Sequence, residues 1–284
     1  MSELTRRILF SLAGAPVTVA IIYFGGWLLA ATLGAIAATA AWEVFRMARA
    51  GGAKPMEPSG IVLAAAIPLL VHAHYLGLFT LPIVGAAVIF LILVASVIWL
   101  RGVEGRPFIA LSVTVFGVLY AAMITFIYPL RYHDYAVGAG AGTALVMFPI
   151  FVVWGTDTGA YTFGRLFGKR KLMPSVSPGK TIAGAIGGLF VAIVIAWLYS
   201  KAILEPLAHL ALSPAGVVIF AIAISIAAQT GDLLESLLKR DAGIKDSSAL
   251  VPGHGGILDR IDSQLFALPV AYLIIGYLLM PMPG

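Results

Sequence analysis

The sequence predicts an all-α polytopic membrane helical bundle of about nine transmembrane helices with a cytoplasmic N-terminus. Three observations predict it. Hydrophobic residues make up 61% of the 284-residue chain and charged residues only 11%, far below the roughly 25% charged content of soluble domains. Apolar runs of about 20 residues, the length that crosses a hydrocarbon core, recur from end to end. The cationic residues fall almost entirely in alternate loops between those runs. The absence of cysteine excludes disulfides, thiolate metal sites and cysteine nucleophiles.

In order, the first run, 8–25, follows Arg6 and Arg7 and leads straight into the second, so it reads as a retained helix rather than a cleaved signal peptide. The second, 27–48, ends among Arg46 and Arg49. The third, 59–77, is interrupted by Pro68, His72 and His74, the two histidines reading as interfacial packing. Arg101 and Arg106 divide the fourth, 79–100, from the fifth, 108–130. The sixth, 144–165, contains Asp157. The seventh, 181–204, and eighth, 214–238, lead to the ninth, 263–281. With the loops numbered alternately, all of the 18 Lys and Arg except Arg131 and Lys201 share the N-terminal side, which the positive-inside rule makes cytoplasmic. The net charge of +5 therefore has a topological source, and no nucleic-acid partner is implied. The linkers are too short for a separate soluble domain. The chain reads as one integral membrane unit, with N-terminal helices over 1–142 and the helices that carry the site over 143–284.

Residues 231–263 hold six of the 13 Asp and Glu. Asp232 directly follows an apolar run, where an acid costs about 2.5–3.5 kcal/mol on insertion scales and usually has a partner or a job. At 100° per residue Asp232, Glu235, Ser236, Lys239 and Arg240 share one arc of the helix, with leucines on the other. Glu235 and Arg240 read as solvated charges at an amphipathic helix end. Lys245 and Asp246 follow, and then Pro252-Gly-His254-Gly255-Gly256, a tight loop because Pro and Gly disfavour a helix interior. Its glycines admit close backbone approach to a ligand, and it opens into the ninth helix, whose first amides favour an anion. Asp259, Asp262 and Ser263 then share a helical face. Carboxylates interleaved with Lys and Arg suit a divalent cation plus a polyphosphate. A network of internal ion pairs fits the same composition equally well.

Two segments upstream tilt that balance. Asp157, Tyr161 and Arg165 form a stripe at i, i+4 and i+8 in the sixth run, and an acid inside a span is a functional candidate, with Arg165 as its nearest structural partner. Lys169 to Lys171 read as a positive-inside anchor. Ser177-Pro178-Gly179-Lys180-Thr181 reads as a phosphate-binding turn at a helix start. It is not a Walker A loop, which needs glycine where this chain has Pro174.

The string Ser236, Lys239, Arg240, Lys245, Asp246, His254, Gly255, Gly256, Asp259, Arg260 and Asp262 resembles the signature of the phosphatidate cytidylyltransferase family, the CDP-diglyceride synthetases. The segments around Asp157 and Lys180 are similar to that family's other recurring pieces, so the specific resemblance covers roughly 154–263. One departure is Ile182-Ala183-Gly184, where many relatives carry an aromatic and then Glu or Gln; no role is carried over there. The resemblance implies metal-assisted nucleotidyl transfer in phospholipid biosynthesis, in which CTP and phosphatidate give CDP-diacylglycerol and pyrophosphate. It implies Mg²⁺ held first by Asp232 and Asp246, with Asp157, Asp259 and Asp262 as further ligands or orienters, and a second cation such as K⁺. Lys180, Lys239, Arg240 and Lys245 would hold phosphates, while Ser177, Thr181, Ser236, Gly255, Gly256 and Arg260 would contact substrate. His254 is expected to donate a hydrogen bond from its loop rather than act as a general acid. A homodimer in the inner (plasma) membrane of a bacterium, with the site facing the cytoplasm, completes the expectation. A secondary transporter would carry paired inverted repeats, and a CDP-alcohol phosphotransferase a run of closely spaced Asp with Asp-Gly and Ala-Arg. Neither pattern is evident.

Overall fold

The computed structural model describes residues 3–78, 83–133, 138–250 and 255–281, with side chains over 14–78, 85–133, 138–250 and 255–279. The chain is helical nearly throughout. Helices α1 (Glu3–Phe24), α2 (Gly26–Ala50), α3 (Glu57–Tyr75), α4 (Ile83–Leu100) and α5 (Pro107–Ala122) come first. A 3₁₀ turn, Met123–Phe126, carries α5 into the short α6 (Ile127–Arg131). After α7 (Ala139–Phe167) the strands β1 (Lys171–Met173) and β2 (Ser177–Thr181) form an antiparallel ribbon that enters α8 (Ile182–Tyr199). A π-helical stretch, Ser200–Ala208, prolongs α8, and β3 (Leu210–Leu212) follows it. The long α9 (Pro214–Asp241), α10 (Leu258–Leu278) and β4 (Leu279–Pro281), which pairs with β3, complete the chain.

Each expected run coincides with a helix or a continuous helical stretch. Among the described residues seven of these, including Gly26–Ala50, Ala139–Phe167 and Pro214–Asp241, are long and apolar enough to cross a membrane, and the described parts of α1 and α4 are apolar as well. The chain is thus an all-α, multi-pass membrane protein. Helix limits follow local chemistry. Pro58 and Pro107 sit in the first turns of α3 and α5, where a missing N–H costs nothing.

By contacts the chain forms two compact units, each discontinuous in sequence. Unit one comprises Met1–Gly25, Phe126–Leu237 and Ile261–Gly284; unit two comprises Gly26–Thr125 and Leu238–Arg260. In unit two α2, α3 and α5 pack around Phe45, which is wholly buried. Its ring occupies the space that a side chain at Gly60 of α3 or Gly117 of α5 would need. In unit one the main contact is α7 against α8. The same unit explains Arg131, one of the two cations on the poorly charged side. Buried, it donates through Nε to the Ile22 carbonyl at 2.8 Å and through Nη2 to that of Tyr23 at 3.0 Å. It caps the last turn of α1, where helix carbonyls lack partners.

Candidate functional site

Unit one builds a cavity from the backbone upward. Gly155 and Gly159 of α7 and Gly184 and Gly188 of α8 each have the four-residue spacing that lets helices approach closely. A methyl group added at Gly159 would lie 2.7 Å from the Gly187 carbonyl oxygen, and one at Gly184 would lie 2.7 Å from that of Ala160. The segment expected as a phosphate-binding turn is instead strand β2, with Ser177 opposite Met173 and Thr181 opposite Lys171. Its end does lie at a helix start: Thr181 is the N-cap of α8, its Oγ1 accepting from the Gly184 amide at 3.1 Å. The ribbon and cap hold Lys180 at the edge of the α7–α8 contact.

A cavity of about 510 Å³ opens there, with Asp157, Tyr161, Arg165, Lys180, Gln229 and Asp232 among its lining residues. Lys180 Nζ stands 2.6 Å from Asp232 Oδ2 and has no aligned hydrogen-bond acceptor among the described residues. Ser236 adds only a long contact, 3.5 Å, to Asp232 Oδ1. The two side chains are 25% and 38% exposed, but Lys180 Nζ itself is covered; an ammonium so placed, short of aligned acceptors, gains from meeting a further oxygen. Arg165 donates to the Tyr161 hydroxyl at 3.2 Å, and no ion pair joins it to Asp157 among the described residues. Asp157 instead lies in the field of three neighbours, the acids Asp262 and Asp232 and the cation Lys180. Close contact of α9 with α10 brings Asp262 in, because Gly231 abuts the Asp262 backbone carbonyl. Asp262 is buried, with Oδ1 accepting from the Ser263 amide at 2.6 Å.

The cavity wall carries two carboxylates, Asp157 and Asp232, beside the cations Lys180 and Arg165, and carboxylate oxygens suit a hard divalent cation. Among the described residues no group of three acidic, His or Cys side chains is arranged to cage an ion alone. Mg²⁺ is usually held by one or two carboxylates completed by phosphates and water, and Asp157 and Asp232 supply that number on one cavity wall. The residues present therefore fit Mg²⁺ arriving with a polyphosphate.

Unit two arranges its polar groups differently. Glu43 of α2 is wholly buried. Its Oε1 accepts from the Ser248 hydroxyl and from the Ile257 amide at 3.0 Å; its Oε2 accepts from the Ser247 hydroxyl at 3.0 Å and the Leu258 amide at 2.6 Å. Asp259 accepts from Lys239 Nζ at 2.7 Å, from the Ser247 amide and hydroxyl at 3.1 and 2.9 Å, and from the Gly256 amide at 2.7 Å. The amides at the start of α10, expected to meet a ligand anion, thus meet the chain's own Glu43. Gly256 has a related cause: a side chain there would collide with the Glu43 carboxylate and the Ser247 hydroxyl. Arg240, Lys245, Asp246 and Arg260 are exposed, Gly255 is half-buried, and His254 lies outside the described residues. Asp246 belongs to unit two, and the cavity in unit one is built without it.

Glu43 escaped the sequence reading although its signal was present. It is an acid inside the second apolar run, the same argument that singled out Asp157. Gln229, a cavity residue whose Nε2 lies 3.2 Å from Ser225 Oγ and 3.4 Å from the Ala185 carbonyl, was legible on the same ground.

A family model described as "Cytidylyltransferase family" matches residues 5–278. A phosphatidate cytidylyltransferase of Staphylococcus epidermidis is 38% identical over 189 residues, which cover 63% of this chain and 70% of the relative. One of Haemophilus influenzae is 45% identical over 140 residues, 49% of this chain and 48% of the relative. One of Bacillus subtilis is 41% identical over 135 residues, 48% of each.

Proposed function

The chain belongs to the cytidylyltransferase family, and from that premise we propose that it is a phosphatidate cytidylyltransferase acting at the cavity of unit one. The observation that carries the site is the Lys180–Asp232 pair, 2.6 Å apart, on a cavity that Asp157 also lines. One chamber offers a cation for phosphate and carboxylates for a metal ion. It lies among membrane helices, where a lipid phosphate meets a water-soluble nucleotide.

In the reaction an oxygen of the phosphatidate phosphate attacks the α-phosphorus of CTP. The new P–O bond forms as the bond from that phosphorus to the bridging oxygen breaks, and pyrophosphate leaves with the electron pair. The attacking oxygen is already anionic near neutral pH, so no general base is required. Both reactants are anions, and the rate depends on screening and alignment. Lys180, which has no aligned acceptor among the described residues, turns from Asp232 to a phosphate oxygen. Asp232 and Asp157, with Asp262 beside them, would hold Mg²⁺, which when bound neutralises phosphate charge as a Lewis acid. The Thr181 cap fixes the backbone that carries Lys180, and Arg165, steadied by Tyr161, supplies a second cation on the cavity wall.

The distribution of Lys and Arg supports a site that faces the cytoplasm, and bacterial relatives support a bacterial inner membrane. Gly- and Ala-rich spans are compatible with a homodimer, and K⁺ remains a candidate second cation. Exposed on the loop after α9, Asp246 is a metal candidate in its own right, tested by the turnover of Asp246→Asn. Purified protein in micelles, given α-labelled CTP, phosphatidate and Mg²⁺, is expected to form a labelled lipid and one pyrophosphate per lipid. Transport of an ion or lipid without pyrophosphate release would reject the reading in favour of a transporter.

A further inference from the structure

We infer that unit two carries a binding site of its own, a basic cavity between the α2–α3 loop and the end of α4 that takes the phosphate-bearing headgroup of an anionic phospholipid. Every residue of it belongs to that unit, and the inference does not rest on the proposed function. The cavity has a volume of about 480 Å³, and its wall carries three cations, Arg49, Lys54 and Arg101, against one carboxylate, Glu57. Glu57 is paired with Arg49. Among the described residues no carboxylate pairs with Lys54, whose side chain is exposed. The wall therefore has a surplus of positive charge that an anion would meet.

The chain's own bonds build this cavity. Arg101 donates through Nε to the Lys54 carbonyl at 2.9 Å, through Nη2 to that of Pro55 and through Nη1 to that of Leu100 at 3.0 Å, which ties the end of α4 to the loop. A guanidinium has five N–H groups, so two remain for an anion. Next in the loop, Met56 is buried, and its amide donates to Thr114 Oγ1 of α5 at 2.8 Å. The first turn of α3 supplies Glu57 and Pro58 to the wall and has no side-chain cap, so its amides add positive potential there. What marks the ligand as a lipid is the surface beside the cavity. Ile98, Trp99 and Leu100 end α4, are 65%, 80% and 51% exposed, and directly precede Arg101. An exposed apolar face that ends in tryptophan and then a cation is how a span meets the headgroup layer, and basic pockets at that level hold anionic headgroups. Acyl chains can lie along α4 while the phosphate enters the cavity; a soluble anion gains nothing from that face.

The full chain in neutral-detergent micelles is titrated with dioleoyl phosphatidylglycerol while hydrogen exchange is followed in the 50–59 peptide, a readout local to the cavity. Exchange there should slow by about threefold or more at saturation, and dioleoyl phosphatidylcholine, which has no net charge, should leave it at the lipid-free rate. Equal protection by both lipids, or by neither, overturns the inference. Lys54→Gln should raise the half-protecting lipid concentration about fivefold, the effect of one cation near an anionic lipid, and Lys54→Glu about 25-fold. Lys54→Arg should restore the wild-type value. Because Lys54 has no ion pair to lose, the unfolding midpoint of Lys54→Gln should match wild type; a wild-type titration with this folded variant overturns the inference. Lys169→Gln removes an exposed cation from unit one and should leave the titration unchanged; an effect equal to that of Lys54→Gln would mean diffuse attraction to a basic surface and would also overturn it. Glycerol 3-phosphate carries the same phosphate without acyl chains and should give no protection at the half-protecting lipid concentration. Equal protection by it would assign the cavity to a soluble anion and defeat the lipid. No turnover is read, so failure here leaves the proposed function standing, and a protein that forms no product leaves this site to be decided by exchange alone.

Discussion

In unit two Glu43 is wholly buried and accepts from four donors, and Asp259 accepts from three others, one of them an ammonium, and shares the Ser247 hydroxyl with Glu43. In unit one Asp232 has a single half-open ion pair and a long contact to Ser236, and Asp157 lines the same cavity without an ion pair among the described residues. Both places concentrate acids in an apolar chain, yet Glu43 and Asp259 spend their oxygen atoms on internal hydrogen bonds, whereas Asp157 and Asp232 line a cavity. The difference teaches that the number of donors already bound separates a carboxylate that shapes the fold from one that the proposed function assigns to chemistry. A saturated carboxylate has little left to offer a metal, whereas an undersaturated one gains from binding it.

The sharpest way to break this contrast is to remove the amine from each region. Lys180→Met should lower turnover by about 10²–10³-fold, the range for losing one preorganised charge-stabilising donor, while thermal unfolding in micelles stays close to wild type. Lys239→Met should act mainly on stability. Lys239 and Asp259 are only 14% and 8% exposed, and removing one partner of a buried pair costs about 3–5 kcal/mol. Exchanged outcomes, with Lys180→Met unstable and Lys239→Met inactive but stable, would invert the assignment. Asp157→Asn sharpens it further. The Mg²⁺ concentration for half-maximal rate should rise about 10–100-fold, read by titrating Mg²⁺ at saturating CTP.

Much of this was legible beforehand because its causes are local. A run of apolar residues long enough to span announces a helix, and an acid beside such a run announces its own cost, which is how Asp157 and Asp232 stood out. Of the acids that the choice between an ion-pair network and a metal site concerned, Asp259 lies in a hydrogen-bonded network and Asp232 lines a cavity. What stayed hidden depends on distant partners. Glu43 is bound by residues about 200 positions downstream, so no local pattern shows that it, rather than a ligand, occupies the start of α10. Pro178-Gly179 has turn composition, but pairing with Lys171–Met173 makes it a strand. Helical spacing suggested Arg165 as a partner for Asp157, but the nearer Tyr161 hydroxyl takes its contact.

Smaller effects probe the scaffold that holds the cavity in shape. Gly159→Ala should destabilise the α7–α8 contact by about 1–3 kcal/mol, because the new methyl meets backbone rather than a flexible side chain; the midpoint of unfolding in micelles measures it. Thr181→Val should cost about 1 kcal/mol, the loss of one N-cap hydrogen bond. It should also raise KM for CTP more than it lowers kcat, as expected if the cap holds Lys180 for ground-state binding.

Asp232→Asn tests the central claim most directly, by the initial rate at which label passes from α-labelled CTP to lipid at saturating Mg²⁺ and phosphatidate. The account predicts a rate at least about 10²-fold below wild type with unchanged elution and unfolding midpoint. A folded Asp232→Asn protein that labels lipid at the wild-type rate would contradict it.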